Sequence, residues 1–356
     1  MHTIQINGSL VGFDYPPYFI ADIGANHDGS LERAYKLIEL AKESGADAAK
    51  FQNFQAGKIV SDTGFKDLGS QLSHQAGWKK SVFKVYEDAS VSFDWTEKLK
   101  GKCDEIGIEY FTSPYDYDSV DHVDPYVDLY KVGSGDITWL EMIEYIARKG
   151  KPVLLATGAA SMSDVQRAME IATKVTKDVV LMQCNTNYTG SSENFDFINL
   201  NVLNTFKKKY PGVILGLSDH TTGHATVLGA IALGARVIEK HFTDDNKRNG
   251  PDHMFAMNPV TWREMVDRSG ELFRSMGDGI KRVEANEEKS KIVQQRSIRV
   301  VRDMKIGEVI SLNDIEYLRP IPSDGYPPYM INELIGKKIT APVTRGEHLS
   351  AKNMSI

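Results

Sequence analysis

The chain has 356 residues, a formal net charge of −6, 41% hydrophobic and 25% charged residues, and two cysteines. The length allows one large domain plus a small one, and the balance is that of a globular protein rather than a disordered or fibrous one. The acidic charge gives no sign of a nucleic-acid partner, no apolar stretch approaches the roughly 20 residues that span a bilayer, residues 1–20 lack a signal-peptide core, and the widely separated Cys103 and Cys184 suit a reducing cytoplasm.

In chain order, residues 3–13 read as a hairpin, with Asn7-Gly8 as its two-residue turn. Apolar runs follow at 18–23, 46–51, 108–111, 127–132, 152–156, 179–182, 213–217 and 236–238. Amphipathic stretches alternate with them at 31–44, 93–106, 119–123, 140–148, 161–175, 197–210, 222–233 and 259–276. The spacing of Ala34, Leu37, Ile38 and Ala41 fits one helix face. Eight strands, each followed by a helix, predict a (β/α)8 barrel, with the hairpin covering its floor. A doubly wound open sheet is the alternative, but the first turn, Ile23-Gly-Ala-Asn-His-Asp-Gly29, is no G-x-G-x-x-G loop. Residues 53–92 are too long for an ordinary βα loop and predict a lid of short helices over the mouth. Past Arg282 the pattern changes. Residues 1–282 form the hairpin and barrel, 283–295 a charged helical linker, and 296–356 a small β-rich domain with strands or turns at 297–301, 305–308, 315–318 and 337–341. So small a domain has a thin core and is expected to dock on its own barrel or on a partner.

Parallel barrels place their chemistry at the C-terminal strand ends. His220 and His241 each close an apolar run, with one helix between them. Neutral imidazoles are common ligands of divalent metals, so the pair reads as half of a metal site, with Asp252 as a further ligand or the holder of a metal-bound water. The bland alternative is two hydrogen-bonded core histidines. Lys50 and Lys131 follow apolar runs, and a buried lysine is costly unless an anion compensates it. With Ser134 and its flanking glycines they suit a small phosphate or carboxylate. Lys240, one residue before His241, faces the other way and reads as structural. Asp22 and Asp136 are candidate acid/base groups; alternatively Asp22 orients Lys50 and Asp136 caps the next helix. His27 and Cys184 read as structural. Asp14, Asp62, Glu87 and His74 could act in the lid, but no spacing singles them out.

Several of these segments together resemble the sialic acid synthase family: Ile23-Gly-Ala-Asn-His-Asp-Gly29, Lys50-Phe-Gln52, Tyr130-Lys-Val-Gly-Ser-Gly135, Gly216-Leu-Ser-Asp-His-Thr221, Glu239-Lys-His-Phe-Thr243 and Gly250-Pro-Asp252. Arg296-Ser-Ile, Lys305-Ile-Gly-Glu308, Leu318-Arg-Pro320 and Leu334-Ile-Gly-Lys337 resemble its C-terminal antifreeze-like (SAF) domain. The resemblance implies a TIM barrel followed by that domain. It implies an enzyme that condenses phosphoenolpyruvate with an N-acylated amino-hexose. It also implies a divalent metal, Mn2+ first with Mg2+ or Co2+ as alternatives, on His220 and His241. Lys50, Lys131, Ser134 and Ser218 match positions that hold phosphoenolpyruvate, and Gln52 and Asp252 match polar groups of the same site. Ser113 matches a hydroxyl position after the third strand, and Tyr188 a tyrosine facing the sugar. Arg319 matches the arginine that one subunit's antifreeze-like domain inserts into its partner's site, which implies a homodimer.

The chain departs from that pattern on the sugar side. Asp22 stands where a catalytic glutamate is usual, Asp136 where a sugar-binding glutamate is usual, and Thr186 where asparagine is expected. The short glycine-rich turn after Arg319-Pro320 becomes Ile-Pro-Ser-Asp-Gly-Tyr-Pro-Pro-Tyr329. These changes imply a different acceptor sugar with the reaction retained. Two rival readings are a synthase that takes a phosphorylated or other aldose, and a non-catalytic carbohydrate-binding protein.

Overall fold

A computed structural model describes residues 2–355. The chain divides into two compact units, Met1–Met276 and Gly277–Ile356.

In the first unit, β1 (Thr3–Ile6) and β2 (Ser9–Gly12) form the expected hairpin. Its turn needs left-handed backbone at both central positions, and Asn7 and Gly8 supply it with φ of 42° and 82°. Then come β3 (Tyr18–Asp22), β4 (Ala48–Asn53), β5 (Glu109–Pro114), β6 (Tyr130–Val132), β7 (Val153–Ala156), β8 (Val179–Cys184), β9 (Ile214–Asp219) and β10 (Ala235–His241). They close a barrel in the order β10-β3-β4-β5-β6-β7-β8-β9, every pairing parallel. All eight are buried along their whole length except at Gln52 of β4, which is half-buried at the cavity, as strands covered on both faces must be. Helices surround them at each position the periodicity predicts. The first, Leu31–Glu43, starts where Ser30 accepts from the Arg33 amide and buries Ala34, Leu37, Ile38 and Ala41. The hairpin residues Ile4, Ile6 and Val11 join the barrel's core, and Arg236 donates to the Phe13 carbonyl at 2.9 Å, which fastens the hairpin beside the start of β10.

The insertion after β4 folds into four short helical segments: Ala56–Ile59, Asp62–Asp67, Ser73–Gly77 and Val82–Ala89. The second unit pairs β11 (Ser297–Val300) antiparallel with β12 (Ile315–Leu318) around its own apolar cluster, which includes Ile298, Val300, Leu334 and Leu349. Of the segments read as strands or turns, 305–308 is a turn at which Gly307, at φ 88°, reverses the chain between the bridges Met304 with Val343 and Val309 with Lys338, and 337–341 carries the single bridges Lys338 with Val309 and Ile339 with Met354. No helix among the described residues is long and apolar enough to cross a membrane.

Candidate active site

Strand register alone assembles the site. His241 pairs with Asp22 across β10 and β3, and Asp22 pairs with Lys50 across β3 and β4. Glu239 pairs with Ser218 across β10 and β9, and Gln52 with Ser113 across β4 and β5. These ends open into a cavity of about 470 Å³. Every sequence-predicted site residue of the barrel lines it: Asp22, Lys50, Gln52, Ser113, Lys131, Ser134, Asp136, Tyr188, Ser218, His220, His241 and Asp252. Arg319 is exposed in the second unit, directly after β12.

Two ion pairs form the floor of this cavity. Lys50 Nζ lies 2.6 Å from Asp22, and Lys131 Nζ lies 2.6 Å from Glu239. All four residues are at most 4% exposed. Lys50 is also 3.9 Å from Glu239, so the pairs form one four-charge cluster. Gln52 Nε2 and the Gly24 amide donate to Asp22 at 3.1 and 3.0 Å, and the Ser218 hydroxyl donates to Glu239 at 3.2 Å. Burial works to raise the Asp22 carboxyl, but Lys50 and His241 outweigh it and hold the group below the ordinary aspartate range. Burial likewise works against charge on Glu239, and Lys131 and Lys50 overcome it. Burial would lower Lys50, and Asp22 with Glu239 raises it instead. All three therefore carry full charge at neutral pH. The lysines are thus compensated, as the sequence requires, and Asp22 does orient Lys50. Glu239 was not among the expected site residues. The signal is the period of two that turns Lys240 outward onto Asp219, since it turns Glu239 inward beside His241.

Ser134, Asp136, Tyr188 and the lid aromatics complete the lining. Ser134 Oγ accepts from the Gly158 amide at 3.0 Å. Gly158 is required there, since a Cβ would come within 2.4 Å of Thr186. Burial pushes the Asp136 carboxyl up to about 6. It does not cap the next helix, whose N-cap is Trp139 with no side-chain bond. Tyr188 packs edge-on to His220 with ring centroids 4.3 Å apart, and the lid brings His74 within 4.8 Å of the Tyr188 ring centroid. Trp78 and Tyr86 of the lid also line the cavity, as does Tyr115, a half-buried residue with no sequence signal beyond its place after β5. His27 is fully buried, and that burial holds it down to about 4; its Nδ1 accepts from the Gly29 amide, a structural role.

The two histidines suit a metal. Their ring centroids lie 5.5 Å apart. His220 Nδ1 bonds the Asn185 carbonyl at 2.8 Å, which directs the Nε2 lone pair away from that contact. His241 Nδ1 is buried without a hydrogen-bond partner and sits 3.7 Å from Asp252, whose other contact is the Ala25 amide at 3.1 Å. Among the described residues no group of three or more His, Cys, Asp or Glu is placed to hold a metal ion, so the two histidines are a partial donor set.

A closed parallel barrel with a charged, anion-compatible mouth defines a TIM-barrel protein with its site at the C-terminal strand ends. The sequence matches the NeuB family over residues 37–281 and the SAF domain over residues 295–354. The chain belongs to the NeuB family. It is 32% identical over 325 residues to the N,N'-diacetyllegionaminic acid synthase of Campylobacter jejuni, covering 90% of this chain and 95% of that one. It is 31% identical over 343 residues to the human N-acetylneuraminate-9-phosphate synthase, covering 94% and 92%. The crystal structure of an N-acetylneuraminic acid (sialic acid) synthetase from Leptospira borgpetersenii superimposes with a TM-score of 0.71 at 27% identity, over 81% of this chain and 95% of that one.

Proposed function

We propose that the protein is a nonulosonic acid synthase that joins phosphoenolpyruvate to the open-chain aldehyde of an N-acylated amino-hexose and releases phosphate by C–O cleavage. The observation that carries this reading is the buried Lys50–Asp22 and Lys131–Glu239 cluster set beside His220 and His241. Lys50 and Lys131 bind the carboxylate and phosphate of phosphoenolpyruvate, with Ser134, Ser218 and Gln52 fixing its orientation. His220 and His241 would hold a divalent ion, Mn2+ in preference to Mg2+ or Co2+, and the chemistry it would supply when bound is Lewis-acid polarisation of the acceptor's aldehyde. Asp252 orients the polar groups around His241. C3 of phosphoenolpyruvate attacks the aldehyde carbon, whose oxygen takes up a proton to become a hydroxyl; water adds at the C2 cation, and the C2–O bond to phosphate then breaks as C2 becomes a ketone. Asp22 takes the proton of that water, its low basicity raised as Lys50 turns to the substrate. Ser113, Asp136 and Tyr188 face the sugar.

The lining lysines are Lys50 and Lys131, both committed to phosphoenolpyruvate, while the lid contributes His74, Trp78 and Tyr86. That lining favours an unphosphorylated acceptor. Arg319 is assigned to the acceptor side of a partner's site in a homodimer, supplied by the SAF domain, and the enzyme is assigned to the cytoplasm. Incubation with phosphoenolpyruvate, Mn2+ and a panel of 2-acetamido and 2,4-diacetamido hexoses, read by phosphate release and product mass, tests the reading. Release is expected only with an acceptor present; no release with any aldose contradicts it.

A further inference from the structure

A second cavity, of about 220 Å³, lies at the opposite end of the barrel. Phe13 after the hairpin, the turn before β9 and the start of β10 enclose it. Arg236 borders it, although only 3% exposed. Its position is a local irregularity. The β9–β10 register slips between Ala235 and Val237, so Arg236 is an extra residue on β10. Bulges in parallel pairs are rare and re-aim side chains. Arg236 Nε donates to the Phe13 carbonyl at 2.9 Å, and Nη1 donates to Ile231 and Ala235 carbonyls at 3.2 and 2.7 Å. Its guanidinium carbon lies 4.8 and 5.2 Å from the Phe13 and Phe273 ring centroids. Among the described residues, no carboxylate lies within ion-pair distance of it, Asp14 acting only from farther away, and nothing accepts from Nη2. A buried cation without a counter-charge is costly. The Tyr210 hydroxyl, on the same lining, is also buried without a partner.

We propose that this cavity binds a small monocarboxylate with an apolar body, its carboxylate on Arg236 Nη2 and its hydrocarbon against Val213, Ile214 and Leu215. Free guanidinium donors call for an oxyanion. Apart from His2, Lys207, the Tyr210 hydroxyl and Arg236, the lining side chains are apolar, which suits an apolar body better than a polyhydroxylated sugar acid. Inorganic phosphate would leave the walls unfilled. The cavity lies at the starts of β9 and β10, whose opposite ends carry Ser218, Glu239 and His241.

Calorimetric titration of the full chain with phenylacetate tests the proposal. Saturable binding of one molecule per chain is expected, with 2-phenylethanol, the uncharged analogue, at least about tenfold weaker because it lacks the charge-assisted pair. Arg236→Met and the cavity-filling Val213→Phe should each weaken phenylacetate by about tenfold or more. Thermal melts check that both variants fold, and the comparison of the two probes on the wild type needs neither. Absence of saturable binding, equal binding of 2-phenylethanol, unchanged affinity in either folded variant, or inorganic phosphate binding more tightly than phenylacetate would each overturn it.

Discussion

Replacing Glu239 with glutamine keeps the side chain's shape and one acceptor oxygen but deletes one charge of the four at the cavity floor. Lys131 and Lys50 stand 2.6 and 3.9 Å from that carboxylate. At an effective dielectric of 20, these separations correspond to attractions of about 6 and about 4 kcal/mol before desolvation is subtracted. Breaking one side of a buried ion pair has a net cost of about 3–5 kcal/mol. The retained oxygen still accepts from Ser218, so the lower end, about 3 kcal/mol, is expected. For a domain of this size that lowers the melting temperature by about 6–12 °C. Removing the stranded cation as well, in Glu239→Gln/Lys131→Met, should recover much of the loss. The assay is thermal unfolding by circular dichroism, with and without phosphoenolpyruvate. The single variant has an excess of positive charge, so phosphoenolpyruvate should raise its midpoint more than it raises the wild type's. A midpoint within about 1 °C of wild type, or equal stabilisation of both by phosphoenolpyruvate, would refute the reasoning.

His220→Ala and His241→Ala should each abolish turnover and lower the Mn2+ bound per chain in elemental analysis; full metal loading in either variant contradicts the pair as ligands. Asp22→Asn should lower kcat far more than it raises KM for phosphoenolpyruvate, and Asp22→Glu should be poorly active, because Lys50, Gln52 and the Gly24 amide hold the shorter carboxylate from both oxygens. Wild-type kcat in Asp22→Glu would show that the shorter side chain is not fitted to the pocket. Arg319→Ala should raise KM for the sugar and leave phosphoenolpyruvate affinity unchanged, and mixed with His220→Ala chains it should regain some activity; no recovery despite demonstrated subunit exchange refutes donation in trans. Glu109, at the opposite end of β5, is pushed up to about 7 by burial and then by Asp128, from an ordinary 4.5. The native state therefore holds its proton more tightly than the unfolded chain, and wild-type stability falls as pH rises from about 4.5 to about 7. Melting temperatures across that range should show Glu109→Gln with a shallower decline and a higher midpoint than wild type at pH 8; parallel curves would count against it.

The barrel was legible because strand and helix signals alternate, and each predicted strand overlaps an observed one. The strand-end candidates converge for the same reason: fixing eight strand ends fixes what faces the mouth. Less legible was anything set by pairing across space. Glu239 lies between a histidine and an apolar run, and its worth depends on a lysine 108 residues away. Asp136 reads from sequence as an acid/base group or as a helix cap; the helix begins at Leu140 with Trp139 at its N-cap, and the carboxyl lines the cavity. In the second unit, which of the segments read as strands or turns would pair was not legible: only 297–300 and 315–318 form a ladder, and 305–308 and 337–341 form a glycine turn and single bridges. Arg236 illustrates the same limit. It sits in a run that reads as an ordinary strand, and only the register shows it to be an insertion.

The lid has a consequence for how the site is entered. Ala56–Ile59 buries only Ala56, Val82–Ala89 buries only Val82, and the two segments between them bury no residue at all. Such a segment opens at a small fraction of the global unfolding free energy. Its amides should exchange with deuterium early, while those of β3 to β10 persist until the barrel itself unfolds. Substrate admission is then a local, frequent event that leaves the charged floor intact. An acceptor that contacts Trp78 and Tyr86 should slow exchange across residues 56–89 without altering the strands, so the deuterium map reports sugar recognition separately from phosphoenolpyruvate binding.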